Sequence, residues 1–226
     1  GGIAVDENGR AVVGSWSRWF TGLYASGDAA CSGLHGAGSV VGNRLLDAMC
    51  LSAAAGQHAG EWVKTASFTG KNTLQQAFEQ HNNTLTQDKE LKQGEDVLRS
   101  GAVFNNIQSA AIEALGTSRD ITSLTEGLEQ MDKVLSTLDQ MHVDQTSLIA
   151  NGNLVENART AACARLVAAS IQSAISRQES RGVHQRSDFP ESNADLLHHI
   201  TVDYEGNMGQ LAIRKTSSGN WLLPPM

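Results

Sequence analysis

Between Gly22 and Gly42 the chain carries six glycines in 21 positions, within the run GLYASGDAACSGLHGAGSVVGNRLLD. A backbone so bare of side chains neither continues as a regular helix nor packs a core of its own. It is entered from a short apolar strand and left through a helix, an arrangement that lets another group come close to the main chain.

Three chemistries use loops of this kind. Gly36-x-Gly38-xxx-Gly42 approaches a dinucleotide loop, in which pyrophosphate meets a helix N-terminus. The fingerprint proper is GxGxxG, and no second strand ending in an acidic residue follows at the right distance. His35-Gly36-Ala37-Gly38 is close to the HGGG-type oxyanion loop of esterases, but the chain holds no G-x-S-x-G nucleophile elbow. In the third case GLYAS ends at the edge of a larger nucleotide-binding sheet. Asp28 could then accept hydrogen bonds from a polyol, and the following helix would aim its free N–H groups at the electron-poor edge of a ring system. A lone Asp after Gly is more often a turn former that bonds its own backbone.

The chain has 226 residues, 40% of them hydrophobic, enough for a sizeable core in one large domain or two small ones. Seventeen Lys and Arg against 24 Asp and Glu give a net charge of −7 without a cationic run, which argues against nucleic acid as a partner. No apolar run approaches the roughly 20 residues of a spanning helix, and the first residues lack signal-peptide character. Cys31, Cys50 and Cys163 are odd in number, far apart and outside any CxxC, so neither a disulfide frame nor a metal site is expected and a reducing compartment fits. The opening GGIAVDENGR lacks an initiator Met and reads as the middle of a motif, hence as a fragment.

Residues 1 to 24 alternate like short strands, with a turn at Glu7-Asn8-Gly9. NRLLDAMCLSAAAGQHAGEWVK predicts a helix over about 43 to 63, with Gly56 and Gly60 as weak points. Residues 64 to 73 are polar and turn-like, and 74 to 100 are Gln- and Asn-rich without a readable helical phase. A shorter helix is expected from Ala102 to Leu115, closed by Gly116. Asp120 or Ser123 can cap the next, where Ile121, Leu124, Leu128, Met131, Leu135 and Leu138 form a stripe that His142 continues. Its partner spans 154 to 178, where Ala158, Ala161, Ala162, Ala168 and Ala169 admit a close neighbour. HHITVDYEG and MGQLAIRKT read as two strands around a turn at Glu205 to Gly209, and SSGNWLLPPM as a terminal tail. Met131 and Met141 read as core filling, and His58 as an ordinary residue near a helix end. His198 and His199 would point to opposite faces of a strand, which is poor metal geometry.

The glycine run strongly resembles the segment of fumarate reductase and succinate dehydrogenase flavoprotein subunits that reads GL(F/Y)A(A/V)GE and then HGANRLGxNSL(L/A)(D/E). A second block, SRQESRGVHQRSDFPESNADLLHHITVDYEG, resembles that family's ESRGAHxRxD(F/Y)PxRDDxxxLxHT segment, and the opening GGI is similar to the end of its HYxMGGI. The resemblance is tight at 22 to 60 and 177 to 200, and one of pattern only between 65 and 150. It implies an α+β, mainly α fold: a small β-region from the edge of an FAD-binding domain over 1–63, a helical bundle over 64–182, and a terminal loop and β-hairpin over 183–226. It further implies FAD as cofactor, a dicarboxylate substrate that exchanges hydride at its central C–C bond, and iron–sulfur and membrane anchor subunits as partners. The expected location is peripheral, on the cytoplasmic side of an inner membrane. L-aspartate oxidase shares both motifs, although GVHQR and the late hairpin look more like fumarate reductase.

By that resemblance Gly27 and Asp28 contact the FAD ribityl chain, with the shorter Asp where Glu is usual, so that water can mediate its contact. Asn43, Arg44 and Leu45 fall on the NSL triplet against the flavin ring, and Gly42 keeps one of two glycines facing substrate while Val41 replaces the other. Ser39 occupies the place of the arginine that grips a substrate carboxylate, and a hydroxyl cannot form that bidentate clamp. No catalytic residue is therefore assigned. Arg44, five residues along, is a poor substitute, and the loss admits a second class of function, a non-catalytic remnant whose bundle serves as an interaction module. Arg181 and His184 are expected to join the bundle to the flavin domain by hydrogen bonds. The first FAD segment, the flavin-linking histidine and the capping domain have no counterpart here, so the chain alone is expected to be inactive.

Overall fold

The computed structural model describes residues 1–13, 18–67, 69–87, 97–144, 147, 149–203, 206 and 208–211. Among them lie five helices and six short strands, the mainly α, α+β composition expected from the sequence. The chain divides into two compact units, the first formed by residues 1–67, 179–185 and 191–226, the second by 68–178 and 186–190. The boundary expected at 182 thus falls within a stretch held by the first unit.

In the first unit, β1 (Ile3–Ala4) pairs in parallel with β4 (Ala30–Cys31), and β2 (Arg10–Val13) pairs antiparallel with β3 (Arg18–Tyr24). The turn before β2 forms because the Asp6 carboxylate accepts the N–H groups of Asn8 and Arg10 at 2.9 and 3.0 Å. Of the predicted strand GLYAS, residues 22–24 are the end of the longer β3, while Ala25 and Ser26 lie beyond it. Helix α1 (Asn43–Val63) has the bounds read from the sequence and runs on through Gly56 and Gly60. An added Cβ at either glycine would meet nothing within 4 Å, so both lie on an open side of the helix.

The opposite side of α1 carries Leu51, Ala55, His58 and Trp62 at steps of four, three and four, the spacing of one helix face. Leu51 and Ala55 are buried. Gly9 comes so close to Ala55 that a Cβ on it would stand 2.7 Å from the alanine methyl. Tyr24 Oη and His58 Nδ1 lie 2.8 Å apart, and the Trp19 ring meets the Trp62 ring edge-on at 5.5 Å. His58, an unremarkable helix-end residue by sequence, thus helps to fasten β3 to α1. The strands β5 (His199–Val202) and β6 (Met208–Leu211) form an antiparallel hairpin with Val202 opposite Met208. Gly209 lies in the strand instead of the expected turn, and His198 precedes β5. The remainder of the second predicted strand and the tail SSGNWLLPPM lie outside the described residues.

The second unit contains α2 (Lys71–Gln87), α3 (Ser100–Ala114), α4 (Ile121–Ser136) and α5 (Gly152–Ser176), of which the last three pack pairwise around one core. Two partners were expected; α3 is a third. Ile107, Ala110, Ala114, Leu124, Met131, Ala164 and Ile171 are each at most 1% exposed, and burial of one such large side chain contributes roughly 1.5–3 kcal/mol. Helix α2 lies in the Gln- and Asn-rich stretch that has no legible phase, and its residues 71–80 are all exposed.

Asp120, not Ser123, caps α4: its carboxylate accepts the Ser123 N–H at 2.9 Å, and Ser123 Oγ answers from the third helical position. The helix ends at Ser136, short of His142, whose N–H instead donates to Leu98 O at 2.8 Å beside the Leu98–Met141 bridge. Of the alanines expected to admit a close neighbour, Ala161 and Ala168 pack against the core and Ala158 and Ala162 are exposed, and a further close approach lies elsewhere. It occurs at Gly127 of α4, where a Cβ would stand 2.5 Å from the Ala114 methyl. Gly116 follows the end of α3 without a left-handed φ; an added Cβ there would lie 3.0 Å from Ile112 O.

Arg186, 2% exposed, joins two helix ends in this unit. It donates to Ala174 O at 2.8 Å near the end of α5 and grips Asp188 through Nε and Nη2 at 2.7 and 2.6 Å. Asp188 Oδ2 in turn accepts the Ile121 N–H at 3.1 Å, at the start of α4. These bonds, Arg186 foremost, hold the Asp188 carboxyl at about 2, below its ordinary 3.8.

Candidate functional site

The glycine loop leaves β3 through a single 3-10 turn, Gly27–Ala29, closed by the Ala30 N–H on Gly27 O. Asp28 is exposed and makes no hydrogen bond or ion pair with another described residue, so the turn does not depend on its side chain. Ser26 Oγ lies 2.8 Å from Ser52 Oγ on α1.

Farther along, one carboxylate organises the loop. Asp47, in the second turn of α1, accepts the hydroxyl of buried Ser32 at 3.0 Å and lies 3.3 Å from His35 Nε2. Gly38 N–H closes a turn on His35 O at 3.2 Å, and Asn43 N–H closes another on Val40 O at 3.1 Å. Gly42 then caps α1 at φ 87°, a left-handed conformation that favours glycine, with no side-chain cap on the N–H groups that follow. The first turn of α1 contains no acidic residue, so its partial positive charge faces outward uncompensated.

A second segment supports the loop from outside. Val183 N–H donates to Ala37 O at 2.9 Å, and the Val183 side chain lies 3.5 Å from where a Gly38 Cβ would be. This stretch is braced by Glu179, wholly buried, which accepts Arg181 Nη2 at 2.8 Å and the Asn193 N–H at 2.9 Å. That hydrogen bond to Glu179 raises the pKa of the Arg181 guanidinium, which stays charged. The side-chain bonds described for Arg181 run to Glu179 and Asn193, within its own unit.

The predicted site residues fall in two short segments, one after β3 and one at the start of α1. Gly27 and Asp28 lie in the turn after β3, Gly42 caps α1, and Asn43, Arg44 and Leu45 form its first turn, all three exposed. Ser39 is exposed three residues before the cap, and Arg44 has no ion-pair or hydrogen-bond partner among the described residues. A Cβ at Gly36 or Gly42 would meet nothing within 4 Å. Leu34, Val40, Leu45, Leu46 and Met49 are each 60–69% exposed and Val41 is 99% exposed. Bare main chain, exposed apolar side chains before and within the first turns of α1, an unpaired carboxylate and an unpaired guanidinium suit a large, partly planar ligand with polar substituents. Among the described residues no three His, Cys, Asp or Glu groups are placed to hold a metal ion.

Sequence reasoning missed Asp47, Ser32 and Glu179. Asp47 left a signal, an acidic residue on the inner side of the helix start with Ser and His just upstream, and Glu179 one in the Glu-x-Arg spacing.

Such a fold and loop mark the C-terminal part of a large flavoprotein. Residues 104–224, just over half the chain, match the family described as fumarate reductase flavoprotein C-term, and the chain belongs to that family. It is 27% identical over 99% of its length to the succinate dehydrogenase flavoprotein subunit of Coxiella burnetii, of which it covers 36%. It is likewise 27% identical over 92% of its length to the fumarate reductase flavoprotein subunit of Mycobacterium tuberculosis, covering 35%. Its fold is that of a variant of E. coli quinol fumarate reductase, with a TM-score of 0.84 and 22% identity over 100% of this chain and 37% of that one. The Mycobacterium smegmatis Sdh1 complex in the apo form is also similar, with a TM-score of 0.68 and 20% identity over 84% of this chain and 32% of that one. The chain spans about a third of the length of the curated relatives it matches.

Proposed function

We propose that this chain is the C-terminal portion of an FAD-dependent dicarboxylate oxidoreductase subunit that interconverts succinate and fumarate. The observation that carries the proposal is the open glycine loop at the start of α1, flanked by exposed apolar residues, in a chain of this family. FAD, when bound, accepts or delivers the hydride. This chain's residues hold and orient. Gly27 and Asp28 face the ribityl chain, and Asp28 accepts a hydroxyl directly or through water. The uncapped N–H groups after Gly42 and the first turn at Asn43, Arg44 and Leu45 lie along the ring edge, where a positive helix end favours electron-rich character. Gly42 offers its main chain to a dicarboxylate.

Electrons pass onward to an iron–sulfur subunit bound to membrane anchor subunits, with the flavoprotein peripheral on the cytoplasmic side of the inner membrane. No described helix is long and apolar enough to cross a membrane.

Ser39 favours a second possibility, a family member that has lost catalysis and retains its bundle for assembly, because a hydroxyl replaces the expected carboxylate clamp. The test is Ser39→Arg in the complete subunit with FAD. A gain of about two orders of magnitude in fumarate reduction, in line with restoring one charge-assisted bidentate contact worth roughly 3 kcal/mol, supports an impaired enzyme. No gain, with FAD bound, supports the remnant, and a complete subunit that stays colourless with FAD refutes both cofactor and function.

A further inference from the structure

Resting on the assignment of the glycine loop as the flavin and dicarboxylate site, we infer that Gly182 is a positioning residue for that loop, and that residues 179–185 form a splint setting where the main chain from Gly36 to Ser39 stands. Two anchors hold the loop. On the α1 side, Ser32 and His35 meet Asp47. On the other side Ala37 is held from outside, its carbonyl accepting the Val183 N–H at 2.9 Å.

The second anchor has little tolerance. A Cβ at Gly182 would lie 2.7 Å from Ala37 O, 2.9 Å from the Ala37 carbonyl carbon and 3.1 Å from its methyl, and φ at Gly182 is +56°. Most of those contacts are to backbone, which cannot swing aside as a flexible side chain could, so any substitution must move one segment against the other.

The splint is stiff enough to impose the position. Glu179, 0% exposed, is bonded by Arg181 and by the Asn193 N–H, and Arg181 also donates to Asn193 O at 3.0 Å. Arg181 and His184 exchange main-chain hydrogen bonds at 2.8 and 3.0 Å, and Ser180 N–H donates to Glu191 O at 3.0 Å. The buried acid, its arginine and three main-chain bonds leave this short loop few ways to yield. Ser39 stands two residues beyond Ala37 and is exposed, so a shift at Ala37 passes directly to it. An arrangement of this kind sets the orientation of whatever Ser39 and the adjoining main chain touch without itself contacting ligand.

Amide hydrogen exchange on the complete subunit, with and without FAD, tests the inference in Gly182→Ala, Gly182→Asn and Arg181→Lys. Exchange at the Val183 and Gly38 amides is expected to rise about tenfold in both Gly182 variants, equivalent to about 1.4 kcal/mol of lost local protection, while the amides of α4 stay protected. Asn tolerates a left-handed φ but keeps the Cβ, so it should not rescue. Arg181→Lys loses the fork and should raise the same amides about threefold. With FAD present, its dissociation constant should rise in the same rank order. Wild-type exchange in Gly182→Asn would show that backbone conformation, not contact with Ala37, is what glycine supplies, and would overturn the inference. Unchanged exchange at Val183 and Gly38 in all three variants would overturn it too. If both Gly182 variants fail to fold, Arg181→Lys decides by the same readout. Absence of FAD binding in the wild type refutes the proposed function, while exchange without FAD still judges the splint.

Discussion

Two long helices of similar sequence character, α1 and α5, meet different ends. Helix α5 sits in a unit where Ile107, Leu124, Met131 and Ile171 are all but sealed from solvent by their neighbours. Helix α1 buries Leu51 and Ala55 and leaves Leu45, Leu46, Met49 and Val63 at least 60% exposed. The bundle buries a shared core while Ile112, Val155 and Leu166 stay exposed on its outer side, whereas the N-terminal half of α1 leaves Leu45, Leu46 and Met49 exposed and buries no large apolar residue before Leu51. Six exposed large apolar residues between Leu34 and Met49, next to main chain bare of side chains, suit a surface for binding better than one for stability.

The difference can be broken most sharply in the bundle. Met131→Ala should cost about 2–5 kcal/mol, measured by chemical denaturation, because a fully buried side chain leaves a cavity among three packed helices. A smaller loss would mean that the core relaxes around the gap and is less close-packed than these distances imply.

Next in size is the Arg186–Asp188 tie. Since Asp188 titrates at about 2 when folded against an ordinary 3.8, its contribution is fully present above pH 3.8 and is lost as the pH falls through about 2. Asp188→Asn should lower stability at neutral pH and flatten the acid side of the stability curve between pH 4 and 2. An unchanged acid slope would show that the pair does not bear on folding.

The smallest effect belongs to the exposed stretch. Leu45→Ser should change unfolding stability by no more than about 0.5 kcal/mol, because its side chain is already in solvent, yet weaken FAD binding in the complete subunit. A stability loss approaching that of Met131→Ala would mean that Leu45 is a core residue, and the contrast between the two helices would disappear.

Much of this architecture was legible. Helix α1 declared itself through a stretch rich in Ala, Leu and Met after a glycine, and α4 through its stripe and the polar residues before it. Helix α2 was not legible, because Lys71–Gln87 has too few apolar residues to reveal a face. The end of α4 was misplaced because the leucine spacing continues past Ser136 while the backbone turns to let Met141 pair with Leu98. Ala161 and Ala168 of α5 do pack against the core, but Ala158 and Ala162 misled, since a small side chain advertises the possibility of close approach and not which face meets a neighbour. Gly127, against which the Ala114 methyl packs, was not singled out by the spacing of the apolar residues.

By itself the sequence determined the order of elements, the bare loop ahead of α1 and the motifs that mark the family, because helical periodicity, glycine density and local caps are set by residues near one another in the chain. Only the tertiary structure decided that Asp47 gathers Ser32 and His35, that Trp19 and Tyr24 are fastened to α1, and that Gly182 lies against Ala37. Those contacts join residues up to 145 positions apart, and nothing in local spacing encodes which distant groups will share a hydrogen bond or exclude a methyl group.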